Sequence, residues 1–598
     1  MKHAIHYTII AKDLAAHLFA VSVVVDKPDP DGQIFRLPAW TPGSYMMREF
    51  AKNIVQATAS CNGKKVKLIK LDKHSWRAAK CDGPLSVQYD VYAWDLSVRA
   101  AHLDQTHGFF NGSSVFLSVN GREDSVHLVD IQKPLDEGCQ AWRVATAMRQ
   151  LKAKRYGFGT YIASNYDELI DHPVEMGTFT LATFKAHGVP HDIVFTGRVP
   201  NLDLPRITAD LKKICETEIA FFEPKSKQAP MDRYVFMTMV VSNDYGGLEH
   251  RASTSLICAR ADLPVKGKAE ISDGYRTFLG LCSHEYFHTW NVKRIKPAAF
   301  VPYDLTTEAY TPLLWLFEGF TSYYDDLMLL RSGVISAASY LSLVAKANNN
   351  VLRGGGRHKQ SVAESSFDAW IKYYRQDENS ANAVVSYYTK GSLVALALDL
   401  TIRAETKGKK SLDDVMRALW RKYGRDFYQD GKAGIGVTDA DVDALFDEVT
   451  GLKLKRLLDT WARGTTELPL STLLPTFGIR YNDQRAATRP VLGIRTVREG
   501  LDCRVSSVYE KSAAHKAGIA AGDVLVAIDG VRVSVTMDNL FGRYCVGDTI
   551  EIHAFRRDEL RVFKAKLVAD DTPMVILTTE EKPSIAARQL RKGWLGNI

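Results

Sequence analysis

The sequence predicts a multidomain α+β protein: a β-sandwich-like N-terminal domain, a mixed and then helical middle, and a second small β module near the C-terminus. Three observations predict it. Through the first 170 or so residues, His6 to Ala11, Leu18 to Asp26, Leu85 to Asp95 and Ser114 to Asn120 alternate or run β-branched and aromatic, and Asn62-Gly63 is a hairpin signal. From Ile271 to about Arg463 the apolar spacing becomes helical, with capping patterns at Ser411 with Asp414 and at Thr438 with Asp441. After Leu468-Pro469 short strands and Gly turns return. The domains expected are therefore 1–170, 171–470, 475–570 and a tail, 571–598.

Between the first and second stretches, Thr178 to Ala186 and Tyr234 to Ser242 read as strands. WTPGSYMMREF (Trp40 to Phe50) is an aromatic Pro-Gly turn, expected as a structural corner rather than as a reach into a neighbouring cleft. Gly354-Gly355-Gly356 sits in a basic loop without the spacing of a phosphate cradle, and is expected as a flexible connection near the cleft.

Composition narrows the class. At 598 residues, with 46% hydrophobic and 24% charged residues, the chain has ample core for several domains. A formal charge of +8 is small for this length, and its basic residues interleave with Asp and Glu, so neither a nucleic-acid nor a membrane surface is expected. The eight cysteines form no CxxC and no compact framework, which suits a reducing compartment. No signal-like start and no apolar run of about eighteen residues is visible, so a cytoplasmic protein is expected.

The chemistry is concentrated in HEYFH. His284 and His288 lie four apart on a helical stretch (Arg276 to Trp290), hence one turn apart on one face, with Glu285 directed to the same cleft. Glu318, which closes WLFEG, supplies the third ligand. Neutral imidazole and carboxylate suit Zn²⁺, three ligands leave a position open, and the ion lowers the pKa of water enough to make hydroxide near neutrality. The apolar lead-in Phe278, Leu279, Leu281, Cys282 would bury this helix, which separates the motif from a chance pentapeptide.

Two flanking segments add to it. In Gly246-Gly247-Leu248-Glu249-His250 the paired glycines let backbone approach a ligand, and Glu249 would place a negative charge able to bind an ammonium. Tyr388-Thr389-Lys390-Gly391 opens an apolar helix, where a phenol can hydrogen-bond the oxyanion that forms as water attacks a carbonyl. Taken alone, a solvated Glu in a turn and a helix-start Tyr are the simpler readings; the zinc motif between them changes that.

In this order the segments resemble a gluzincin metallopeptidase related to aminopeptidase N, and more narrowly the glycyl aminopeptidase family with a C-terminal PDZ domain. GGLEH is similar to the family's exopeptidase motif, HEYFH and WLFEGFTSYY to its zinc motifs, and YTKG to its catalytic Tyr segment. Leu492-Gly493-Ile494 and SAAHKAGIAAGDVLVAIDGVRV (Ser512 to Val533) resemble a PDZ domain, with the former at its carboxylate-binding loop. The resemblance implies a thermolysin-like catalytic domain, with His284, His288 and Glu318 as zinc ligands and Glu285 as general base. Tyr388 would be the oxyanion stabiliser, Glu249 the anchor for a free α-amine, and Gly246 and Gly247 part of the substrate site. Two features depart from aminopeptidase N. His250 and Leu248 replace its usual Asn and Met, and 29 residues separate His288 from Glu318, an insertion expected as a lobe narrowing the substrate pocket.

The function expected is zinc-dependent removal of small N-terminal residues, Gly and Ala, from peptides with a free N-terminus, the preference coming from the resemblance. An endopeptidase with PDZ-captured protein substrates is the second reading, and a peptide-binding scaffold with a dead zinc site the third. Whether the PDZ binds a peptide C-terminus in trans or docks as a structural part is open at this level.

Overall fold

The computed structural model describes residues 4–429, 434–484, 489–533 and 541–596. Parts of the expected PDZ stretch (485–488, 534–540) and the ends of the chain (1–3, 597–598) lie outside the described residues. The chain forms two compact units: Met1–Ala309, Tyr324–Ile335 and Met416–Thr438 in the first, Tyr310–Tyr323, Ser336–Val415 and Asp439–Ile598 in the second.

The first unit begins with β structure, as the alternation requires. Leu18–Val25 buries every second residue and pairs antiparallel with Ile5–Asp13, which runs parallel to His127–Gln132 in an eight-stranded sheet. Two four-stranded sheets share its core, where Phe19, Phe35, Tyr89, Phe110 and Phe116 meet, giving the sandwich-like arrangement expected. At Asn62-Gly63 both residues have positive φ (47° and 75°), the type I′ geometry that closes a tight hairpin between Ile54–Cys61 and Lys64–Val66.

Ser114 to Asn120 is not the strand its composition suggests. Gly112–Val115 is a helical turn, and only Ser118–Val119 pairs in a sheet. The reason is a substitute for the ladder: the buried hydroxyls of Tyr89, Tyr166 and Tyr7 donate to the successive carbonyls of Val115, Phe116 and Leu117. Backbone acceptors satisfied by side chains need no partner strand.

The same unit continues into a five-stranded sheet in the order Thr180–Ala186, Val189–Thr196, Tyr234–Val241, Ser253–Ala259, Gly246–Glu249. Gly246–Glu249 is thus an edge strand, antiparallel to Ser253–Ala259. The helix Leu204–Phe222, capped by the Asp203 side chain on Arg206 N, covers the sheet together with the motif helix Asp273–Phe287, itself capped by Ser272 on Tyr275 N.

The second unit holds most of the long helices and the C-terminal β module. Thr389–Glu405 is buried along most of its length and carries Asp399 at its centre. That carboxylate is fully paired, accepting from Arg403 Nε (2.9 Å), Leu412 N (2.8 Å) and the Tyr323 hydroxyl (2.7 Å), as a buried charge must be. Within the stretch expected as a tail, Val575–Thr579 pairs with Ile479–Asp483, and the helix Ile585–Leu595 buries Trp594, whose Nε1 donates to Tyr323 (2.9 Å). Gly355–His358 is a short 3₁₀ helix rather than a flexible link, because Gly356 lies so close to the Val384 backbone that no side chain fits.

The terminal β module has its own core of Leu492, Val505, Ile519, Leu525, Ile528, Ile550 and Ile552. Its Asn382 attachment is specific. Asn382, on Ser380–Ala383, donates to Val508 O and accepts from Glu510 N, both 2.9 Å, while Lys359 pairs with Glu510 at 2.6 Å. No helix among the described residues is long and apolar enough to cross a membrane.

Candidate active site

The motif helix ends at Phe287, one residue before its second histidine, because the next amides bond three residues back: Thr289 N to Tyr286 O and Trp290 N to Phe287 O. This tightened end directs the two imidazoles. His284 Nδ1 faces Asp325 Oδ2 at 2.9 Å, and His288 Nδ1 faces the carbonyl of Asn291 at 2.9 Å. With acceptors at both Nδ1 atoms, the protons belong there, and the Nε2 lone pairs are left to point at each other across 3.1 Å. Two lone pairs so placed repel unless a cation lies between them. The separation is close to the edge, about 3.4 Å, of a tetrahedron with Zn–N bonds of roughly 2.0–2.1 Å, so this pair fits a zinc ion.

Asn291 owes its carbonyl direction to its neighbour. Val292 has φ 88°, which a β-branched residue adopts only under constraint; its amide bonds Ile295 O (2.8 Å) and it is buried. The insertion therefore begins as packed structure rather than as a free lobe: Asn291, Val292, Lys293, Ile295 and Lys296 are all buried. Behind the helix, the Ser283 hydroxyl lies within hydrogen-bond distance of Glu218 Oε1 (2.8 Å) and of the Asp325 carbonyl (2.9 Å). Burial raises the Glu218 carboxyl well above its ordinary range, and Asp325 adds to the effect.

Glu285 and Glu249 reach the same place. One carboxylate oxygen from each and a nitrogen of His288 lie within 4.8 Å of one another. Each acid is backed by a glycine. A Cβ at Gly247 would fall inside the Glu285 carboxylate, and one at Gly43 would sit 2.5 Å from Glu249 Oε2 and 2.6 Å from Oε1. Two carboxylates this close attract a cation, metal or ammonium. Gly246, by contrast, has Ile257 and Arg99 at ordinary distances, so its side chain is not excluded by contact.

The Trp40–Phe50 turn is thus a corner that also abuts Glu249. Trp40 is fully buried, donates to Asp304 O (3.0 Å) and Thr307 O (2.9 Å), and packs edge-on to Tyr303. Beside it, Lys293 pairs with the buried Asp171 at 2.6 Å, and Arg251 pairs with the partly exposed Asp167. Burial alone would raise Asp171, but Lys293, His250 and Arg251 hold it well below the usual carboxylate range.

The second unit brings Glu318 and Tyr388 onto adjoining elements. Glu318 is buried at the end of Leu314–Phe317, and Ser322 N donates to its carbonyl at 2.8 Å, leading into the helix Gly319–Arg331. Tyr388 stands immediately before Thr389–Glu405. The two helices cross backbone to backbone: a Cβ at Gly319 would be 2.7 Å from Gly391 Cα, and one at Gly391 2.9 Å from Gly319 Cα. The glycines that close WLFEG and YTKG are therefore the crossing point. Tyr388 is half-buried and its hydroxyl lies 3.4 Å from that of Tyr374, whereas Tyr387 is fully buried. Burial, then the neighbouring Tyr374 and Glu318, raise the Tyr387 phenol well above its ordinary value.

Asp325, Asn291, Gly43 and Tyr374 were not singled out by sequence reasoning. Asp325 had a usable signal, since it follows Glu318 by seven residues, two helical turns along one face.

Known proteins give the context. Residues 6–178 match the peptidase M61 N-terminal domain, 277–394 the M61 glycyl aminopeptidase model and 504–541 a PDZ domain. The crystal structure of an aminopeptidase N family protein from Idiomarina loihiensis superimposes with a TM-score of 0.93 at 40% identity, over 99% of this chain and 100% of that one. The chain belongs to the M61 glycyl aminopeptidase family. It is accordingly a metallo-aminopeptidase with a PDZ domain, the fold class expected from the sequence. An M1 zinc metallopeptidase from Deinococcus radiodurans aligns at 12% identity and TM-score 0.48, over 78% of this chain and 95% of that one. No curated protein matches the sequence.

Proposed function

We propose that this glycyl aminopeptidase family member is a zinc enzyme that removes small N-terminal residues, Gly and Ala, from peptides, with His284, His288 and Glu318 holding the ion. The observation that carries the proposal is the pair of Nε2 atoms 3.1 Å apart, each ring fixed from behind through Nδ1, with two carboxylates beside them. Glu318 enters as the acid of WLFEG, the segment similar to the family's second zinc motif. A bound zinc ion supplies a Lewis acid for the carbonyl and lowers the pKa of water.

The chain's own groups do the rest. Glu285 accepts a proton from the attacking water and delivers it to the departing amine. Tyr388 donates its hydroxyl hydrogen bond to the oxyanion, and the buried Tyr387 does not. Glu249 takes the substrate's α-ammonium and so places the first peptide bond at the reacting position. The edge strand Gly246–Glu249 offers backbone to an extended substrate, and Gly247 admits the Glu285 carboxylate.

A panel of free and N-acetylated Gly, Ala and Leu peptides tests this reading. The expected result is cleavage of free Gly and Ala peptides with kcat/KM well above that for Leu, and a large loss on acetylation. Efficient cleavage of acetylated or internal bonds would replace it with the endopeptidase reading.

A further inference from the structure

Thr41-Pro42-Gly43-Ser44 is a β-turn closed by Ser44 N to Thr41 O at 3.0 Å, with Pro at its second position and a φ of 95° at Gly43. This is the type II pattern, which asks for glycine at that position on backbone grounds alone. Backbone grounds, however, say nothing about what lies beside the glycine. Gly63, Gly121 and Gly188 also have positive φ in turns, and a Cβ at any of them would meet nothing within 4 Å. At Gly43 the same atom would meet Oε2, Oε1 and the carboxyl carbon of Glu249 at 2.5, 2.6 and 2.7 Å. Moreover, the turn is seated. Trp40 holds it to the Asp304 and Thr307 carbonyls, Tyr45 stacks on Phe300 at 5.7 Å, and Thr41 and Ser44 are buried. Glu249 is only 4% exposed, so its carboxylate has no open solvent beside it into which to retreat.

We infer that Gly43, contributed by the N-terminal module, is a specificity-determining residue of the amine-recognition site: its missing side chain leaves the Glu249 carboxylate where it can take a substrate ammonium. This rests on Glu249 being the amine anchor, as proposed above. The role is one of positioning, exerted through Glu249 rather than on the reacting atoms. An added methyl cannot share space with the carboxylate, and the seated turn cannot move away, so the carboxylate must swing. The charge then remains but no longer lies opposite the α-amine. Glu285, backed by Gly247 rather than by Gly43, keeps its place.

The test is the ratio of kcat/KM for a free Ala-peptide to that for its N-acetylated form, measured with zinc content and Tm on wild type, Gly43→Ala, Gly63→Ala, Glu249→Ala and the Gly43→Ala/Glu249→Ala double variant. Gly63→Ala also places a Cβ on a positive-φ turn glycine but with no neighbour, so it separates strain from contact. Gly43→Ala is expected to lower the ratio by about tenfold or more, with zinc retained and activity on the acetylated peptide within about threefold of wild type. Gly63→Ala should leave the ratio unchanged, and the double variant should match Glu249→Ala, because both changes remove one contact. Should Gly43→Ala not fold, the double variant, in which no carboxylate meets the added methyl, should regain the Tm of Glu249→Ala. A ratio unchanged in Gly43→Ala, or in its stead a double variant that also fails to fold, or a second full loss in the double variant, overturns the inference. An unchanged ratio in Glu249→Ala instead shows that Glu249 is not the anchor, and removes the reading beneath it as well.

Discussion

The chain carries two β modules announced by much the same local signals, and they are joined to their surroundings in opposite ways. The N-terminal module shares one extensive core and sends a seated turn to within van der Waals distance of an acid of the candidate site, so that one extra carbon at Gly43 has no room. The PDZ module closes its own core and is held to the helices of its unit by directional polar contacts, chiefly the two bonds of Asn382 and the Lys359–Glu510 pair. Steric contact with charged atoms leaves no slack, whereas a few hydrogen bonds can be lost one at a time. The difference predicts that changes near the first module's contact act on chemistry and changes at the second act on attachment.

The largest effect should come from Glu285→Gln, which removes the base and no ligand: activity should fall by roughly two or more decades with zinc unchanged. Metal analysis beside a peptidase assay checks this, and an active variant would remove Glu285 from the mechanism. Tyr388→Phe should follow, lowering kcat with little change in KM, a cost of about 2.7–4 kcal/mol by analogy with an oxyanion donor. Tyr387→Phe, at a buried hydroxyl, should be mild; reversed effects would move the assignment by one residue.

Asp325→Ala should weaken zinc about 10–100-fold, since it frees the ring of His284 without deleting a ligand. Competition with a chelator of known affinity reads that directly. The smallest effect on activity is expected from Asn382→Ala. It leaves Val508 O and Glu510 N without their partner, costing about 1–3 kcal/mol of attachment per group, visible as earlier proteolysis around the PDZ module, with kcat/KM within about twofold. A loss of activity comparable to that of Tyr388→Phe would show that the PDZ module is coupled to chemistry, and the contrast between the two modules would fail.

How much of this was legible in the sequence depended on distance along the chain. That His284 and His288 share one face was readable because a helix fixes the relation of residues four apart, and a close approach at Gly247 because paired glycines signal it; the crossing at Gly319 and Gly391 was not read. The fold class was readable from periodicity. Asp325 was not singled out, because its partner lies 41 residues away and YYDD offers two candidate acids, between which only the seven-residue spacing from Glu318 could have chosen. Gly43 was read as a corner because a type II turn explains its glycine completely, and nothing in the sequence indicates what faces it. Ser114 to Asn120 was misread because three tyrosines from distant segments satisfy its carbonyls, and Gly354 to Gly356 because glycine run was equated with mobility, when Gly356 is required for close backbone packing on Val384.

The central claim is that a single zinc ion, held where the His284 and His288 Nε2 atoms face each other, is required for activity. It is tested most directly by stripping the full chain with a chelator, dialysing, and titrating zinc back while following cleavage of a free Ala-peptide. The account predicts that activity is lost on stripping and returns linearly to a break at about one equivalent per chain, and that His288→Ala shows no such return. Full activity in the stripped protein, or recovery in His288→Ala matching wild type, would contradict it.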